Sequence, residues 1–103
     1  MIDDEEPELE EVKEPVYRNA SLQVASGKSI GKIMTIKNAM TRLGNMGSGV
    51  AVITKRQGGY FVSILENNGT ITLNDEPLGD RTVKLQSGDK ITVNNAVMQF
   101  FLS

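Results

Sequence analysis

Short apolar and β-branched runs separated by turn residues recur along this chain, the first of them alternating with period two, and that pattern sets the expected elements. Ala20, Leu22 and Val24 are separated by Ser21 and Gln23, the signature of a strand with one face buried. Ser26-Gly27-Lys28-Ser29 interrupts the alternation as a turn, and a second strand is expected over 32–36, after Gly31. Lys37-Asn38-Ala39 turns the chain into a short strand at 40–43, and Gly44, Gly47 and Gly49 mark a loop. Val50-Ala51-Val52-Ile53 is a continuous apolar run, short enough for a buried strand. It meets the next strand, 60–65, at a Gly58-Gly59 corner. Tyr60, Val62 and Ile64 fall on one face of that strand, and Phe61, Ser63 and Leu65 on the other.

The last third keeps the same style. Strands are expected at 70–73, 82–85, 90–93 and 97–102, with a turn at Asn74-Asp75-Glu76-Pro77. Ser87-Gly88-Asp89 and Asn94-Asn95 read as hairpin turns. Pro77 has no amide donor, so it belongs on a sheet edge or just outside a ladder. No stretch beyond the first sixteen residues has helical spacing. The expected fold is all-β, a β-sandwich of about nine to eleven short, mostly antiparallel strands.

Charge divides the chain in two. Residues 1–16 hold eight acids, one lysine and two prolines, a net charge of −7, and too little apolar surface to offset the entropy of ordering. A disordered acidic tail over 1–16 is expected, followed by one sandwich domain over 17–103 with ten cations and five acids. The tail has two readings. It is a solubilising leader, or it is a strip that folds back on the basic body and competes with an anionic partner.

Absent residues narrow the chemistry. With no histidine and no cysteine, neither a Ser-His nor a Cys-His nucleophile can be assembled, and a zinc site would need carboxylates or amides alone. The chain is expected not to be an enzyme and to carry no metal or cofactor. No disulfide is possible, no apolar run approaches a membrane span, and the N-terminus is acidic where a signal peptide is basic. A cytoplasmic protein without membrane attachment is the expectation. Ser26-Gly27-Lys28-Ser29 resembles a phosphate loop only superficially, because the Gly-x-x-x-x-Gly-Lys spacing is missing.

What remains is a donor-rich edge between Val50 and Asn74. Thr54, Lys55 and Arg56 supply a hydroxyl and two cations, and Asn67 and Asn68 supply amides just before Gly69. Donors without an acid are what an anion-binding edge requires.

The order of turns resembles that of a forkhead-associated (FHA) domain, over roughly residues 20–102. A first strand followed by Gly27-x-x-x-Gly31 is similar to the family's first hairpin. Leu85-x-x-Gly88-Asp89-x-Ile91, with a last strand ending in Phe100-Phe101, is similar to its final one. The resemblance implies an FHA- or SMAD-like sandwich that reads phosphothreonine peptides with loops at one end. Asn45 stands where the family has its phosphate-holding arginine after glycine, here Gly44. Thr54-Lys55-Arg56 is aligned with the family's Ser-Arg pair, and Asn68-Gly69-Thr70 matches its Asn-Gly-Thr. A second alignment puts Val50-Ala51 at the family's His-Ala and takes Thr54 out of the site. Asn-Gly is also the commonest two-residue hairpin sequence, so a plain turn explains Asn68-Gly69 equally.

The implied function is a signalling or regulatory protein-interaction module. Its phosphopeptide-binding residues would be Asn45, Thr54, Lys55, Arg56, Asn67 and Asn68. Phosphate-independent protein binding is the alternative, because an amide at Asn45 brings no charge. Two further readings stand beside these. One is a nucleic-acid-binding β-barrel, for which the body has few aromatic residues to stack on bases. The other is a domain that self-associates through an exposed edge strand.

Overall fold

The computed structural model describes residues 19–27 and 30–102. The expected acidic tail lies outside the described residues, and so do Lys28 and Ser29 of the first turn. Ten strands follow in order: β1 (Ala20–Val24), β2 (Ile33–Ile36), β3 (Met40–Gly44), β4 (Val50–Arg56) and β5 (Gly59–Glu66), then β6 (Ile71–Leu73), β7 (Glu76–Pro77), β8 (Val83–Lys84), β9 (Lys90–Val93) and β10 (Ala96–Leu102). They form two antiparallel sheets, one in the order β2-β1-β10-β9-β6-β7 and the other in the order β3-β4-β5-β8. Among the described residues there is no helix, and so none long and apolar enough to cross a membrane.

The alternation read from the sequence decides which side chains lie between the sheets. Leu22, Ile91, Met98 and Phe100 enter from the six-stranded sheet, and Leu43, Ala51, Ile53, Tyr60 and Val62 from the four-stranded one. No polar or charged side chain is buried among the described residues, so the core is held by apolar burial and close packing alone. Phe100 and Tyr60 meet across the layers edge to face, with ring centroids 5.6 Å apart.

Burial holds the Tyr60 phenol above its ordinary pKa, because the phenolate would lose water it cannot replace. The neutral form is favoured in the fold. Its contribution to stability is therefore fully present below the unfolded pKa near 10 and is lost as pH rises through the higher folded value. Denaturation midpoints measured from about pH 9 to about pH 11 should fall more steeply for the native chain than for Tyr60→Phe. Equal slopes would remove Tyr60 from the alkaline transition.

Three details of connectivity differ from the sequence expectation. First, β4 runs on to Arg56, and only Gln57-Gly58 form the turn, with Gly59 already paired to Arg56. The strand outlasts its apolar run because β3 pairs with it as far as Thr54 and β5 continues the ladder to Arg56. Second, Ser87-Gly88-Asp89 is not a hairpin turn. β8 and β9 belong to different sheets, so this segment carries the chain from one layer to the other. Third, Asn74 and Asp75 alone make the turn between β6 and β7, both with positive φ as a type I′ hairpin requires. Glu76–Pro77 is itself a two-residue strand, and it lies at the sheet edge, where proline costs no ladder bond.

Candidate functional site

The segment 67–70 crosses from β5 in one sheet to β6 in the other, so Asn68-Gly69 is not a hairpin turn. It meets two other loops: the β3–β4 loop, which starts at Asn45, and the β9–β10 turn at Asn94. Asn94, at a φ of 56°, braces all three. Its Nδ2 donates to the Ser48 carbonyl at 2.5 Å, and its Oδ1 accepts from the Thr70 amide at 3.1 Å. Its own backbone N–H donates to the Thr70 carbonyl at 2.6 Å. The Gly47 N–H donates to a carboxylate oxygen of Glu66, at the end of β5. Ser48 N–H closes a turn on the Asn45 carbonyl at 2.9 Å, which presents Met46 to solvent.

Glycine is required at this junction for space. A methyl group at Gly69 would overlap both Asn94 Oδ1 and the Ser48 carbonyl oxygen. At Gly44 it would overlap the Gly49 carbonyl oxygen, in a backbone whose φ of 107° already excludes most side chains. The result is a packed end of the sandwich whose loops hold one another.

Beside this junction a cleft of about 530 Å³ opens between the layers. Its walls include Met34, Leu43, Val93 and Met98, and Arg42 and Asn45 stand at its polar side with Asn94. The Arg42 side chain is exposed and makes no hydrogen bond or ion pair among the described residues. Among the described residues, no three His, Cys, Asp or Glu side chains are grouped as a metal ion would need.

The six residues singled out in the sequence fall into two groups. Asn45, Asn67 and Asn68 lie in the loops at one end of β4, where β3 runs into its loop and β5 runs out, but Asn45 lines the cleft whereas Asn67 lines a separate pocket with Gly79 and Asp80. Thr54, Lys55 and Arg56 lie at the far end of β4. The register fixes this, since Val50 pairs with Gly44 and Glu66 whereas Thr54 pairs with Met40 and Arg56 with Gly59. At about 3.3 Å per strand residue, Val50 and Arg56 are about 20 Å apart. Within the far group the side chains diverge as a strand requires: Arg56 lies over the Phe61 ring at 5.3 Å, and Lys55, one residue earlier, projects from the opposite face.

Two residues of the loop end have no counterpart in the sequence reading. Arg42 reads locally as a polar position in a half-exposed strand, although its place two residues before Gly44 marks it as next to the loop. Asn94 reads as a turn residue, and its reach to Ser48 over 46 positions has no local signal. No protein-family model and no curated protein matches this chain.

Proposed function

We propose that this protein is a non-enzymatic interaction module, of a signalling or regulatory kind, that seats a segment of a partner protein on the loop end of the sandwich without needing a phosphate. The observation that carries this reading is the junction itself, in which three loops locked by Asn94 and by obligatory glycines present amides beside an apolar-walled cleft. Such a surface loses little freedom on binding. The cleft offers burial to one apolar side chain, worth about 1.5–3 kcal/mol, and each amide adds a neutral hydrogen bond of about 1 kcal/mol.

The resemblance to FHA domains belongs to this proposal. It is supported by the pairing of β1 with β2 and of β9 with β10, the two hairpins on which the resemblance rests most firmly. The phosphothreonine reading has a narrower basis. With Lys55 and Arg56 at the other end of β4, Arg42 is the cation that lines the cleft among the described residues.

Paired degenerate peptide libraries, identical except for threonine or phosphothreonine at the centre, test the choice. Both libraries should be captured equally, and Asn68→Ala should weaken the selected peptides about fivefold, the equivalent of one neutral hydrogen bond. A preference of about tenfold or more for phosphothreonine, abolished by Arg42→Ala, would restore the phosphate reading. Capture that leaves the amide resonances of 45–49 and 67–70 unmoved would move the binding surface elsewhere.

A further inference from the structure

β3 presents an unguarded sheet edge. Among the described residues it ends the four-stranded sheet, and it runs through Met40-Thr41-Arg42-Leu43-Gly44 without proline or lysine. The other edges are shortened or guarded. β7 and β8 are two residues each, the first ending in Pro77, and β2 is flanked by Lys32 and Lys37. The phase of the ladder fixes which backbone groups the β3 edge offers. The Lys55 N–H donates to the Ala39 carbonyl at 2.8 Å, and these two residues lie opposite each other in the register that pairs Met40 with Thr54. In an antiparallel pair, positions that exchange hydrogen bonds alternate with positions that do not. Thr41 and Leu43 therefore bond to β4, whereas Met40 and Arg42 turn their N–H and C=O groups outward.

The same edge borders the cleft beside the loop junction. Arg42, Leu43, Gly44 and Asn45 form one side of that cleft, and Met34 of β2 belongs to the other layer. Side chains on an added strand would alternate in step with those of β3. The one beside Leu43 would point between the layers, over a floor of Leu43, Val93 and Met98, so it would extend the core. Its neighbour would lie beside Arg42 on the outer face. There Arg42 stands opposite Val52 of β4, with Ser63 of β5 beyond it, and its guanidinium has no acidic partner among the described residues. Charge complementarity calls for a carboxylate at that place. A second copy fits poorly, because pairing β3 with itself about a two-fold axis puts two Arg42 guanidiniums on one face.

We infer that the partner segment proposed for the loop end arrives as an extra strand, paired through its backbone to Met40 and Arg42 and carrying an apolar residue next to an acidic one. This rests on the loop-end reading above and adds to it the conformation and chemistry of the ligand. Main-chain bonds to the edge supply affinity, and the cleft and Arg42 select successive side chains.

Degenerate peptide libraries that differ only in a central Leu-Asp, Leu-Asn or Leu-Lys test this on the full-length protein. Leu-Asp should be captured about fivefold better than Leu-Asn, the fold-change of a favourable exposed ion pair, and Leu-Lys should be captured least. Arg42→Gln should reduce Leu-Asp to the level of Leu-Asn. With captured peptide bound, amide exchange at Met40 and Arg42 should slow about tenfold while Thr41 and Leu43 stay as they were, an alternation that side-chain docking alone does not produce. Arg42→Pro removes an outward donor and no ladder bond, so capture from every library should fall about tenfold. Peptides N-methylated at alternate residues read the same contact on the unaltered protein: one phase of methylation should abolish binding and the other should spare it. If all four amides respond alike, or both phases bind equally, the added strand is overturned and the loop-end reading stands. No capture from any library would overturn both. Slow exchange at Met40 and Arg42 before peptide is added would also overturn the added strand, because another part of the chain or a second copy would already hold the edge.

Discussion

Replacing Phe100 by alanine is expected to destabilise the domain by about 3–5 kcal/mol, the largest effect of any single truncation here. Phe100 has no exposed surface and lies in the central part of the six-stranded sheet, with its ring against Tyr60 of the opposite layer. Removing it takes away burial, an edge-to-face contact and the filler between two sheets whose core is, apart from Tyr60, made of smaller aliphatic groups. A domain of this size typically has about 5–15 kcal/mol to lose, so the variant should be largely unfolded at moderate denaturant. Urea titration followed by circular dichroism measures this. Phe101, the next residue, is half-buried, and its alanine variant should cost less than half as much. Equal costs at the two positions would mean that the sheets do not pack as described.

Gly69→Ala is expected to cost about 3 kcal/mol, at the upper end of what overpacking typically produces. The added methyl meets a backbone oxygen, Ser48 O, and an amide side chain, Asn94, that already holds two partners. Neither can yield without breaking a hydrogen bond, so the three loops separate together. Amide shifts should therefore change at 47–49 and at 94–95 as well as around residue 69, and peptide capture at the loop end should fall with them. Gly47 gives the contrast. Its φ is 90° but nothing lies near its missing side chain, so its cost is purely conformational, and asparagine should be tolerated there better than alanine. At Gly69 asparagine should be worse than alanine. If residue 69 accepts both without loss, the junction is looser than its geometry requires.

Local rules made the strands legible, because whether a residue faces a core is written in its alternation with its neighbours. Leu22 and Val62 are buried where the period-two pattern puts them, and Ile53 where its continuous apolar run does. Sheet membership is not local. A turn composition looks the same whether the strands on either side pair with each other or leave for different layers. For that reason Ser87-Gly88-Asp89 reads as a hairpin, and Asn68-Gly69 is compatible with one. The candidate site was divided by a related ambiguity. Thr54, Lys55 and Arg56 are polar and read as a loop, yet a strand continues as long as its backbone finds a partner, here β5 as far as Arg56. Once they are part of β4, alternation and strand length carry them away from Asn45 and Asn68. The amides at the loop end kept their place because Asn45, Asn67 and Asn68 fall in the loops themselves.

The pairing of β1 with β10 has a consequence for how the molecule is made. Ala20 lies opposite Leu102 and Leu22 opposite Phe100, so the first strand finds its central partner in the last. A nascent chain that has emerged only as far as β9 has its four-stranded sheet complete, but β1 and β9 lie on either side of an empty lane, and the apolar face of the other layer has no Phe100 to cover it. Productive closure must wait for the final seven-residue strand, and the contact it makes is among the most distant in sequence that the chain contains. Slow, late-locking folding is the cost of such an arrangement. During that interval the exposed interior is a natural client surface for chaperones.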